Sequence, residues 1–204
     1  MIDPPHTVFA RGDVAGLDVI VATTADEYAM LIDAASPVPL IDDASYRTTL
    51  TSWFGAAGAQ AVEAQYPSAA FSSPRAAAIA VATDVIFTCP SRRSLAALAT
   101  GGARVRHLVT TRAHRGPDDA DWGAAHGFDV MTLFGTGLVD ATTDHLHSSM
   151  VELWRLFAGG RLPASSWPPW DEVAQPYLEA GDRGLSLGAA WAADRCEFWA
   201  QLGI

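Results

Sequence analysis

Two short stretches hold the residues best placed to do chemistry. The first, Thr24-Ala25-Asp26-Glu27, follows Leu17 to Thr23 (L-D-V-I-V-A-T), a β-branched apolar run that reads as a buried strand. A carboxylate just past a strand's C-terminal end lies where open α/β sheets collect their chemistry. Acidic residues there also suit the first turn of a helix, as caps and dipole partners. Adjacent side chains diverge, so spacing leaves Asp26 and Glu27 as equal candidates. The second stretch, D-W-G-A-A-H-G-F-D-V-M-T-L-F-G (121–135), presents His126 beside a glycine. A polar loop, H-R-G-P-D-D-A-D (114–121), precedes it and itself follows a strand-like run, Val105 to Thr111. An imidazole on a loop past a strand end can reach a distant partner. With a carboxylate it would form two of the three parts of an acyl-transfer triad, the third being a nucleophilic hydroxyl. The ordinary alternative for such spacing is a surface or helix-N-terminal histidine.

The wording of these stretches goes further than their spacing. W-G-A-A-H-G-F-D-V-M-T-L-F-G resembles the catalytic-histidine segment of the type-B carboxylesterases, the cholinesterase-like branch of the α/β-hydrolases, with Asp129 where that family often has Glu. V-I-V-A-T-T-A-D-E-Y (19–28) resembles the strand and D-E-G that carry the family's acid, with Tyr28 for the usual Gly. T-D-V-I-F-T-C-P (83–90), S-M-V-E-L-W-R-L-F-A-G-G-R-L-P (149–163), W-P-P-W (167–170) and C-E-F-W (196–199) resemble later landmarks in order. The resemblance selects Glu27 over Asp26 as catalytic acid and His126 as base. It implies an α/β fold, with residues 1–204 corresponding to the C-terminal portion of such a hydrolase domain.

In α/β-hydrolases the triad runs Ser, then Asp or Glu, then His. Glu27 and His126 supply the last two in order. The first is expected to be missing: no G-x-S-x-G is expected anywhere in this chain, nor the N-terminal glycines of an oxyanion hole. Ser91 and Ser94 follow a proline inside helical sequence, and Ser148-Ser149 open a helix; none sits on a strand-to-helix elbow. Two function classes follow. One is a segment of a carboxylic-ester hydrolase, inactive alone, that needs a complementary N-terminal esterase portion to act on small-molecule esters. The other is a non-catalytic hydrolase remnant, an interaction protein that associates through helix surfaces at 144–159 and 190–202, with self-association the simplest form.

The elements that must position these residues are legible in outline. Asp42 to Gln65 reads as one helix with Tyr46, Leu50, Trp53 and Phe54 on a buried face. Ser73-Pro74 opens a second helix that is expected to break at Cys89-Pro90 and resume from Ser91 to Thr100. Thr143 to Gly159 is amphipathic, Pro176 to Ala180 and Leu185 to Ala189 read as short edge strands, and Ala190 to Leu202 is a final helix. His107 reads as structural. His145 and His147 stand two apart, on different helix faces, so a metal site is not expected there.

The formal net charge of −10 argues against nucleic acid and anionic membranes as partners. No apolar stretch reaches membrane-spanning length, and the start M-I-D-P-P-H lacks the regions of a signal peptide, which inclines the reading towards the cytoplasm. No cofactor is expected. Cys89 and Cys196 lie outside any C-x-x-C, so zinc and dithiol redox roles lack support. Read from the residues, they are two buried free thiols. The resemblance implies instead a disulfide, because cysteines at these landmarks pair in secreted members.

Overall fold

The computed structural model describes residues 3–115, 121–137 and 144–204. Three parallel strands, β1 (Asp18–Thr24), β2 (Arg104–Thr110) and β5 (Pro176–Gly181), lie side by side, and β6 (Gly184–Ala189) closes one edge antiparallel to β5. Between β2 and β5 in sequence, β3 (His114–Arg115) and β4 (Asp121–Gly123) form a small antiparallel ribbon. Helices α1 (Pro5–Ala10), α2 (Ile32–Ala35), α3 (Asp43–Gln65), α4 (Pro74–Thr83), α5 (Cys89–Thr100), α6 (Phe128–Phe134), α7 (His145–Ala158) and α8 (Ala193–Gln201) surround the sheet.

The strand period of two explains the layering. Leu108 of β2, with Ile20 and Ala22 of β1, packs on one face against Leu146, Met150 and Leu153 of α7 and against Trp167. Val105, Val19 and Val21 point the other way, onto Leu95 and Leu98 of α5 and Trp170. A third cluster lies beyond the sheet, where α3 and α4 meet Phe128, Ala125 and Trp199. This is an α/β fold.

Several elements differ from what the sequence predicts. Pro176–Gly181 is an interior strand rather than an edge one, since β2 pairs with it in parallel. The ends of the polar loop before His126 form the β3–β4 ribbon; its middle, residues 116–120, and Thr143 lie outside the described residues. Asp26 and Glu27 open no helix: residues 25–31 are turns, and α2 spans only Ile32–Ala35. Helix α3 is kinked at Gly55, whose φ of 69° and ψ of 171° are essentially closed to other residues.

The expected break at Cys89-Pro90 does not occur. Proline has no amide for the carbonyl four residues back, and its ring clashes with that carbonyl. The chain absorbs this by widening into a π-helical turn over Asp84–Thr88, in which the Cys89 amide donates to the Asp84 carbonyl. Of the two readings of the cysteines, the bridged one holds: Cys89 and Cys196 form a disulfide with Cα atoms 5.2 Å apart. It ties α8 to the start of α5.

A buried network reinforces that tie. The Tyr66 hydroxyl donates to the Asp84 carboxylate at 2.8 Å and accepts from the Trp199 indole at 2.7 Å. Arg195 of α8 pairs with the same carboxylate at 2.8 Å. Burial pushes the Asp84 carboxyl up, and the Arg195 charge and the Tyr66 hydrogen bond oppose that.

Candidate active site

β1 and β2 run parallel in register, Thr24 beside Thr110, so the segments leaving them emerge at the same end of the sheet. The turn after β1 is pinned to that end by the Ala25 amide, which donates to the Thr110 carbonyl at 2.9 Å. It carries Glu27 inward, 4% exposed. The segment after β4 brings His126 back over the turn. Gly127, at φ 83°, then starts α6, a backbone conformation that suits the glycine.

Glu27 and His126 meet here. One carboxylate oxygen, Oε1, accepts the Thr24 amide at 2.7 Å; the other, Oε2, lies 2.6 Å from His126 Nδ1. An ionised carboxylate only accepts, so Nδ1 carries the proton and donates it. That fixes the tautomer and leaves Nε2 with its lone pair. The imidazole is 66% exposed while its partner carboxylate is 5% exposed. Its Nε2 has no hydrogen-bond partner among the described residues. The Phe87 ring, set by the π turn, lies 5.3 Å from the imidazole.

Asp26 goes elsewhere. Its carboxylate accepts the Ala124 amide at 2.9 Å, and its own amide donates to the Ala124 carbonyl at 3.0 Å. Asp129, at the familial Glu position, sits in the first turn of α6. Tyr28 donates its amide to the Thr83 hydroxyl and turns its ring towards Phe87, 6.5 Å between centroids. The Asp26–Ala124 and Phe87–His126 contacts carry no periodic or motif signal in the sequence. Only the adjacency of Asp26 to Glu27 hints at the first.

The other histidines are placed differently. His107 is buried on β2, and burial pushes its imidazole down to about 4, with the Arg92 charge adding to this. Its ring nitrogens are both without partners among the described residues. His147 Nδ1 lies 2.9 Å from the Thr132 carbonyl. No group of three or more potential metal ligands occurs among the described residues.

One expectation about serine needs correcting. Gly184-Leu185-Ser186-Leu187-Gly188 does have the letters G-x-S-x-G. Yet Ser186 lies inside β6, paired opposite Glu179 in a regular antiparallel hairpin, and its backbone has no left-handed φ. An elbow needs a strained turn between strand and helix. Ser186 is also three strands from β1, roughly 14 Å at about 4.8 Å per strand. The pattern here is two glycines flanking an edge-strand serine. Ser94 and Ser149 donate to carbonyls one turn back in their helices. None of these serines contacts His126 among the described residues.

No curated protein matches the chain well enough to count as similar. A family model does match, over residues 2–199, and its description is the carboxylesterase family. That match spans nearly the whole sequence, including β1, the Glu27 turn, the His126 segment and the helix that closes the disulfide. The chain belongs to the carboxylesterase family.

Proposed function

We propose that this chain carries the general base and the orienting acid of a carboxylic-ester hydrolase, His126 and Glu27, and that the nucleophile comes from a complementary N-terminal portion bearing a G-x-S-x-G elbow. The observation that carries the reading is the 2.6 Å contact of Glu27 Oε2 with His126 Nδ1, on a side chain that is itself largely exposed. In this reading Nε2 takes the proton from a serine hydroxyl as its oxygen attacks the ester carbonyl. Glu27 stabilises the imidazolium so formed. His126 then returns the proton to the departing alcohol, and a water repeats the sequence on the acyl-enzyme.

The triad order supports this division, since Glu27 and His126 stand in the order of the second and third members. The rival reading is a non-catalytic interaction protein that self-associates through α7 and α8. It draws on Val151 of α7 and on Leu202 and Ile204 just past the end of α8, apolar side chains left exposed. One assay separates the two. The chain alone is expected to leave p-nitrophenyl esters intact, and to support their hydrolysis once the complementary portion is added. His126→Ala should abolish that restored activity. Restored activity that survives His126→Ala, or none from any complementary portion, would sink the hydrolase reading.

A further inference from the structure

We propose that Asp26 is a positioning residue for the Glu27–His126 pair, holding the histidine segment to the β1 turn through the backbone of Ala124. This rests on the reading of His126 as base. The geometry is a two-point clamp: the Ala124 amide donates to Asp26 Oδ2 at 2.9 Å, and the Asp26 amide donates to the Ala124 carbonyl at 3.0 Å. Ala124 precedes His126 by two residues, and Asp26 precedes Glu27 by one. The Glu27–His126 contact therefore closes over a clamp built from residues one and two positions away in the chain.

Asp26 has no capping duty to account for its carboxylate, because residues 25–31 are turns and α2 begins at Ile32. Its carboxylate reaches 98 residues along the chain instead. Space around it is shaped to match. Gly123 has φ +57°, and a Cβ there would stand 2.5 Å from Asp26 Oδ2. A side chain at Gly123 would thus occupy the place of the clamp. His126 needs such a constraint: its ring is largely exposed, and Glu27 is its single hydrogen-bond partner among the described residues. Without the clamp, the segment bearing it would lose two of the hydrogen bonds that hold it to the turn. Small displacements of a reacting group are costly, about 100-fold in rate for 1 Å.

The test uses the full 204-residue chain and two readouts. Hydrogen exchange follows the Ala124 amide, and proton NMR follows the downfield Nδ1 proton of His126 bonded to Glu27. Asp26→Ala is expected to lower Ala124 protection by about tenfold or more and to lose the downfield proton to exchange. Asp26→Asn keeps an oxygen that can accept from Ala124 and is expected to retain both signals. Gly123→Ala should reproduce the loss with the Asp26 charge intact, and it serves if Asp26→Ala does not fold. Unchanged signals in Asp26→Ala and Gly123→Ala overturn the proposal. Glu27→Gln separates the two failures. A downfield proton lost in Glu27→Gln but kept in Asp26→Ala removes only the positioning role. One unmoved by Glu27→Gln removes the acid–base pair, and the proposal with it.

Discussion

Glu27 and His126 are 99 residues apart in the chain and 2.6 Å apart in space. The carboxylate is buried and the imidazole open, so the pair is anchored at one end and accessible at the other. Such an arrangement holds a base in one tautomer without covering its free nitrogen. In a hydrolase completed by the nucleophile portion, Glu27→Gln is expected to keep ester binding and lower kcat, by up to about 10⁴-fold as the tautomer preference is lost. Steady-state kinetics check this, and an equal rise in KM with unchanged kcat would contradict it.

His107 makes stability pH-dependent. Its folded-state value near 4 lies below the ordinary 6.5, because burial disfavours the imidazolium. The unfolded chain therefore binds the proton more readily between about 4 and 6.5, and stability falls as pH falls through that window. His114, also lowered by burial, acts in the same sense. His107→Leu removes the larger contribution together with two unpartnered ring nitrogens. Urea unfolding at pH 7 and pH 4.5 is expected to show the variant gaining on the wild type by about 1–3 kcal/mol between the two pH values. A constant difference would rule the mechanism out.

The network on Asp84 predicts a cost confined to stability. Tyr66→Phe removes a hydrogen bond to a buried carboxylate and the acceptor of the Trp199 indole. About 1.5–3 kcal/mol of loss is expected, read from denaturant midpoints. The Glu27–His126 contact, which shares no hydrogen bond with this network, should persist in the variant's NMR spectrum.

Reduction of Cys89–Cys196 opens a cross-link between residues 107 apart. A stability loss of about 2–5 kcal/mol is expected from freeing the unfolded chain. Cys196→Ser should show the same loss without reductant, and dithiothreitol should then change nothing further.

How far the sequence spoke depended on the range of the contact. The strands at Asp18–Thr24 and Arg104–Thr110 were legible because β-branched runs report themselves locally, while the α/β class was what the family resemblance implied. Glu27 and His126 came from a family resemblance; spacing alone could not separate Glu27 from Asp26. What separates them is tertiary, since one neighbour faces the His126 ring and the other the Ala124 backbone. The π turn at Asp84–Thr88 was hidden because Pro90 signals a break as strongly as it signals a widened turn. The letters around Ser186 show the opposite hazard, a pattern present without the strand-to-helix setting that gives it chemistry.

The last prediction concerns β1. Its core residues Val19 to Ala22 are only half-buried, whereas the equivalent run of β2 is buried throughout after Arg104. The two strands are similarly apolar, so composition does not explain the difference. Position does: β2 lies between two strands, while β1 has a strand on one side only among the described residues. On its other side β1 has no strand partner among the described residues; the Thr24 amide is held by Glu27 Oε1, and the rest of that edge lies beside apolar side chains. The chain in isolation is therefore expected to self-associate through this edge, and sedimentation velocity should show mass rising with concentration. A complementary portion that pairs with β1 should suppress that association in proportion to the complex formed. Hydrogen exchange adds the location, with β1 amides gaining protection on association and β2 amides, already paired, unchanged. Strictly monomeric behaviour at all concentrations, or protection gained at α7 and α8 instead of β1, would refute the edge as the site.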